Sequence, residues 1–347
     1  MKNSIKIYYP VVFDYRFEDY YPFEQKKIAI KEINEIIESS PFELPNWILN
    51  YSSRVALVEF DEKELGLNDI MSFPLYELKE NRLLFDVNVD VDLDLYCVEN
   101  NFTQGGKDIK IKDEENVSYL PYFLSSYFID GFFEILLISS IARPGCLKLW
   151  KPRIFINDKE LLYGAGNQYE IYSFREVFEL RNKYEYPEIN FLKITTFYSW
   201  IKKNKLLYLY HQESTYGKAL NDLSHLNGDA DEITRFVYLM RILELIYTKG
   251  VTQISDQLNT KIQLYLGEMK NFKKEIKKMY DVRSRFLHGD IPVYPIHHDN
   301  DLQEYEQSFD FQIYNAQFFA LLLVISTLQK MHLENRLELK FEYNISK

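Results

Sequence analysis

The sequence predicts an α+β protein: a β-rich N-terminal domain over residues 1–180, followed by an all-α helical bundle over 190–340. Three observations carry this expectation. The first half holds short runs of β-branched and aromatic residues, which favour strands. The second half places apolar residues at three- and four-residue spacing, which favours helices. The composition, 46% hydrophobic and 27% charged over 347 residues, is that of a folded chain with enough material for two cores.

The elements follow in chain order. "SIKIYYPVVF" (4–13) and "RVALVEF" (54–60) read as strands. Between them, "EQKKIAIKEINEIIESS" carries Ile28, Ile33, Ile36 and Ile37 at helical spacing and stops before Pro41. The clearest strand pattern is "FDVNVDVDLDLY" (85–96). Val87, Val89, Val91, Leu93 and Leu95 alternate with Asp86, Asn88, Asp90, Asp92 and Asp94. Successive carboxylates on one strand face lie about 6–7 Å apart, too far for one cation, so the stripe reads as a solvated or edge-protecting face. "RIFINDKELLYG" (153–164) reads as a hairpin turning near Asn157–Asp158.

The period changes in the second half. Helices are expected at 189–204, 216–226, 231–248, 260–288 and 311–332. In 231–248, Ile233, Phe236, Val237, Met240, Leu243 and Leu245 form an apolar face broad enough for a bundle helix. The helix at 260–288 is the longest expected, and "DIPVYPIHHDND" (290–301) reads as a connecting loop. The boundary between the halves falls between 170 and 195.

Charge and cysteine content narrow the function classes. A net charge of −11 argues against indiscriminate nucleic-acid binding, which depends on phosphate neutralisation by Lys and Arg. Two cysteines, Cys97 and Cys146, support neither a disulfide framework nor a zinc knuckle. His297, His298 and Asp299 have no further ligand cluster nearby in sequence, so no metal and no cofactor is expected. The N-terminus lacks the uninterrupted apolar core of a signal peptide. The apolar stretch at 127–142 is broken by Asp130 and Glu134, and the one within 318–328 is only about 11 residues, short of the length a bilayer requires. The chain thus reads as cytoplasmic, with no membrane partner.

The segment "YDVRSRFLHGD" (280–290) carries the candidate chemistry. Metal-free RNA cleavage needs a proton acceptor for the 2′-hydroxyl, a donor for the leaving oxygen, and a cation for the charge building on phosphate. Histidine suits the first two tasks, because its pKa lies near neutrality. Arginine suits the third, because its planar fork is always charged. Arg283 and His288 supply this pair. Five residues turn a straight helix through about 500°, which sets the two side chains about 140° apart. They converge if the helix frays before Gly289, or if two copies share the site. The same residues also fit a plain helix terminus, where cationic side chains offset the dipole. Upstream, Lys270, Lys273, Lys274, Lys277 and Lys278 share one broad helix face and form a candidate RNA-guiding strip, or simply a solvated face.

The stretch resembles the motif segment of the HEPN superfamily, in particular the Apea-like HEPN family. Arg283–Ser284 and His288–Gly289 bracket a few mostly apolar residues, with Arg285 inside the motif. The preceding helix "RFVYLMRILELIY", with Leu243–Glu244, and the terminal "FFALLLVISTLQKMH" are similar to that family's helices, so the resemblance spans roughly 195–335. It implies a homodimer formed through the motif helix and metal-independent endoribonuclease activity in anti-phage defence or abortive infection. His288 would be the general acid/base and Arg283 the phosphate clamp. Ser284 would orient either one, Glu244 would hold Arg283 by an ion pair, and Arg285 and Asp290 would support the site. RNA would be the substrate, and a phage-derived trigger or an antitoxin would control a dormant state. The alternative is a catalytically silent HEPN scaffold that binds nucleotide or RNA, or dimerises as a regulator.

Overall fold

The computed structural model describes residues 2–10, 23–39, 42, 44–59, 81–99, 119–147, 153–160, 174, 177, 187–207, 212–226, 232–250, 252–267, 272–290 and 309–341. The class is α+β, strands first and helices after. The chain divides into two compact units: Met1–Leu136 with Leu147–Ile171, and Leu137–Cys146 with Tyr172–Lys347.

The first unit is built on an antiparallel sheet. Its strands are β1 (Lys2–Pro10), β2 (Ile48–Glu59), β3 (Asn81–Val91), β4 (Arg153–Ile156) and β5 (Lys159–Glu160), in spatial order β2-β3-β1-β4-β5. The β4–β5 hairpin turns at Asn157 and Asp158, both at positive φ (50° and 62°). Two successive left-handed residues are what a two-residue hairpin with native twist requires. The Asn157 N–H donates to the Ser4 carbonyl at 2.8 Å and its side-chain Oδ1 accepts the Ser4 N–H at 2.9 Å, fixing the turn against β1.

Helix content in this unit exceeds the sequence expectation of a β-rich domain. Helices α1 (Phe23–Ser39), α2 (Leu93–Glu99) and most of α3 (Leu120–Ala142) belong to it. Asn34 of α1 accepts the Val55 N–H at 2.8 Å, satisfying a backbone donor on the edge strand β2. Phe132 of α3 stacks on Phe85 at 4.4 Å, and Phe42 meets both Phe85 and Phe128 edge-on. Phe42, Phe85, Phe128 and Phe132 thus anchor α3 to β3.

The aspartate stripe does not run on as a strand. β3 ends at Val91, and Asp92 caps α2 by accepting the Leu95 N–H on its carboxylate at 3.0 Å. A short acidic side chain at that position satisfies an orphan helix donor, and this local bond overrides the period-2 pattern. Nor does the stripe protect an edge, because β3 lies between β2 and β1. Asp86 is nearly buried and pairs across the ladder with Arg54 at 2.9 Å.

The second unit contains α4 (Ile194–Lys203), α5 (Thr215–Ser224), α6 (Glu232–Tyr247), α7 (Ile254–Leu266), α8 (Phe272–Leu287) and α9 (Phe309–Leu333). The single long helix expected at 260–288 is two helices. Gly267, at φ 113°, ends α7, because a backbone angle of that sign suits glycine and not a helix. Among the described residues the longest helix is α9, with 25 residues. It is apolar on every side, with all of Phe319–Gln329 buried, and it packs against α6 and α8. In α6, Phe236, Met240 and Leu243 face the core as expected, whereas Val237 is exposed.

Helices α3 and α9 are both long and apolar enough to cross a membrane by length and composition. The second expected stretch of about 11 residues is thus part of a 25-residue helix. About three quarters of each apolar window is buried within the protein itself, at 78% and 72%. The pattern is that of a core helix.

Candidate functional site

The motif segment forms the second half of α8 and its terminus. The helix runs unbroken to Leu287, and His288 is its C-cap, with its N–H still bonded to the Ser284 carbonyl at 3.0 Å. Gly289 follows at φ 74° and donates to the Phe286 carbonyl, and Asp290 donates to the Arg285 carbonyl. These two bonds form a Schellman motif, which satisfies the last carbonyls of the helix. Glycine is needed here because a side chain at that φ would be strained. The fraying before His288 that would let it meet Arg283 within one chain does not occur.

Helical geometry therefore separates the two residues. At about 100° per residue, Arg283 falls on the same side of α8 as Ile276 and Met279, which are buried. His288 falls about 140° away, among the exposed side chains. Arg283 reaches α6, where its Nε lies 3.0 Å from Glu244 Oε1 and its Nη2 donates to Glu244 Oε2 at 3.1 Å. This is the ion pair expected from the sequence. The Nε contact is close but poorly aligned, so the Nη2 bond carries the directional part of the pair. Nη1 makes no hydrogen bond among the described residues. The Arg283 side chain is 24% exposed and Glu244 20%. Burial lifts the Glu244 carboxyl above the usual glutamate range, and the guanidinium opposes that shift. Tyr280, one turn back, sets its ring 5.7 Å from the Arg283 guanidinium carbon.

The remaining predicted residues divide. The Ser284 hydroxyl bonds neither Arg283 nor His288, so only its carbonyl contributes, as an ordinary helix acceptor. Arg285 and Asp290 are exposed and linked only through backbone. Lys273, Lys274, Lys277 and Lys278 are all exposed, and Lys278 also pairs with Glu275 at 3.0 Å. Lys270 lies outside the described residues, as do His297, His298 and Asp299. His288 and Arg285 fall within the same 140° arc as those four lysines, so the imidazole ends a basic face rather than joining Arg283.

Two further groups stand out in this unit. Asp222 of α5 is nearly buried and held by Arg241 of α6 at 3.1 Å. Burial raises its carboxyl pKa, against the pull of Arg241 and His225. Lys261 of α7 is only 5% exposed, although it is a lysine. Its signal in the sequence is position: it falls on the apolar stripe of Leu258 and Ile262.

No family model matches the chain, and no curated protein or solved structure matches it either.

Proposed function

We propose that the protein is a metal-independent endoribonuclease of the HEPN type, acting in anti-phage defence, with a site shared between two copies of the chain. The observation that carries this reading is the Arg283–Glu244 pair. A carboxylate on α6 grips one edge of the guanidinium and leaves Nη1 without a hydrogen bond among the described residues, while the side chain stays partly exposed. A cation held in that way is ready to receive a phosphate oxygen without losing its orientation.

The chemistry is transesterification within RNA. His288, exposed at the end of α8, takes the proton from the 2′-hydroxyl, whose oxygen attacks the adjacent phosphorus. The bond to the 5′-oxygen breaks, and that oxygen collects a proton from an imidazolium. Arg283 balances the negative charge on the non-bridging oxygens. Because the two residues diverge on one helix, His288 of one copy works with Arg283 of the other.

That arrangement has a direct test. Arg283→Ala and His288→Ala chains are each inactive alone. Mixed and allowed to exchange subunits, they rebuild one intact site per dimer and recover RNA cleavage. Mixtures that remain as inactive as the separate variants sink the shared site.

The same divergence favours a second reading, a catalytically silent scaffold. Here Arg283 serves as a clamp between α6 and α8, and His288 simply caps a helix. Equal growth and equal RNA integrity for wild type and His288→Ala, with and without phage, select the scaffold.

A further inference from the structure

The second unit holds a pocket of about 240 Å³ at the end of α6, lined there by Tyr247, Thr248 and Lys249. Lys261 of α7, Thr215 at the start of α5, and the segment Glu338 to Phe341 complete the wall. Thr248 donates its N–H and its hydroxyl to the Glu244 carbonyl, so the pocket starts one helical turn from the Arg283–Glu244 pair.

Its chemistry is uneven. Lys261 is almost fully buried, yet no carboxylate among the described residues pairs with it. Its ammonium donates to Gln257 Oε1 at 2.7 Å and sits 5.3 Å from the centre of the Phe341 ring, both neutral partners. Burial pulls its pKa below the usual lysine value, and the positive charge of Lys249 pulls it further. A buried ammonium without a counter-ion is costly, and the charge of Lys249 adds to that cost. Lys340 adds a third cation, against Glu338 as the one acid of the lining. The lining thus carries a formal excess of two positive charges. Thr215, the first residue of α5, belongs to the lining as well. Phe341 and Leu339 offer an apolar wall beside the charged one.

We infer that this pocket is a binding site for a phosphate dianion, carried by a small organic molecule or free in solution, with Lys261 as its central ligand. The dianion matches that formal excess and supplies the counter-ion that Lys261 lacks among the described residues. An ester fits better than the bare ion, because its organic part covers Phe341. The volume admits a compact monoester and excludes a polynucleotide, so the site is separate from the motif helix and does not depend on the nuclease reading.

Calorimetric titration of the full chain with phenyl phosphate, inorganic phosphate and benzoate tests the assignment. Phenyl phosphate is expected to bind, and Lys261→Met, which keeps the side-chain length and drops the charge, weakens it at least tenfold. Removing a buried charge leaves Lys261→Met folded, with a melting temperature equal to or above wild type when no ligand is present. Phe341→Leu weakens phenyl phosphate and leaves inorganic phosphate unchanged if the ester is the natural form. Equal binding of the two phosphates supports the free ion as the source. Tighter binding of benzoate, no binding of either phosphate at millimolar concentration, or equal binding in Lys261→Met overturns the proposal.

Discussion

At the scale of single residues, buried polar groups carry the sharpest consequences. Gln329 in α9 is fully buried, and its amide is used on both sides. Its Nε2 donates to the carbonyls of Ile141 (2.8 Å) and Asn190 (2.9 Å), and its Oε1 accepts the Asn190 N–H at 2.8 Å. Leucine at this position leaves those backbone groups without partners. Gln329→Leu is expected to lose about 2–4 kcal/mol in urea unfolding, despite the gain in hydrophobicity. His332 behaves differently. Its ring lies edge-on to Phe197 at 4.6 Å and to Trp200 at 4.9 Å, and burial pushes its pKa below the ordinary histidine value. The unfolded chain therefore binds the proton more readily than the folded one. Stability falls as pH drops below about 6.5, the ordinary histidine value. His332→Phe, which cannot be protonated, is expected to lose less stability than wild type between pH 7.5 and pH 5. Thermal melts at the two pH values check this, and parallel losses in both proteins exclude His332 as the source.

At the scale of elements, the α6–α8 contact rests on Glu244 and Arg283. Removing the arginine leaves a half-buried carboxylate unpaired, which is costlier than removing both charges. Arg283→Ala is expected to cost about 2–3 kcal/mol, and adding Glu244→Gln to recover part of it. The penalty grows with pH, because the orphaned carboxyl, already lifted by burial, is neutral only in acid. A double-mutant cycle at pH 5 and pH 8 reads this. A penalty independent of pH would mean that Arg283 acts through packing alone. The same element contains the basic face. Under the nuclease reading, Lys277→Gln weakens single-stranded RNA binding and makes the log–log salt slope shallower by roughly 0.7. Fluorescence anisotropy across a salt series measures it, and an unchanged slope removes Lys277 from the RNA path.

At the scale of the whole molecule, much of the architecture was legible in the sequence. The α+β class, the positions of α1, α4, α5, α6 and α9, and the turn at Asn157–Asp158 all follow from periodicity and turn chemistry. The misses have local causes. The stripe at 85–96 alternates correctly, but Asp92 acts as a helix cap, and alternation alone does not reveal a cap. The run at 260–288 keeps a helical period across Gly267, which breaks it. Helix α3 carries little polar contrast between its faces, so no amphipathic period announces it within a strand-rich half. In the site, the Glu244–Arg283 pair was foreseen, while Ser284 was assigned a side-chain role that its hydroxyl does not play. Lys261 needed the fold to reveal it, since burial depends on what α7 packs against.

The residue order by itself determined the positions of α1, α4, α5, α6 and α9, where α8 ends, and which groups able to clamp phosphate or move protons lie near that end. Those outcomes depend on neighbours within a few positions: spacing, caps and a glycine at positive φ. Only the tertiary structure decided which way each group faces. Arg283 meets a carboxylate thirty-nine residues earlier in the chain, His288 joins the solvent-facing lysines, and Lys261 is enclosed with no carboxylate partner among the described residues. Such pairings depend on distance between elements, and no local rule of sequence encodes that distance.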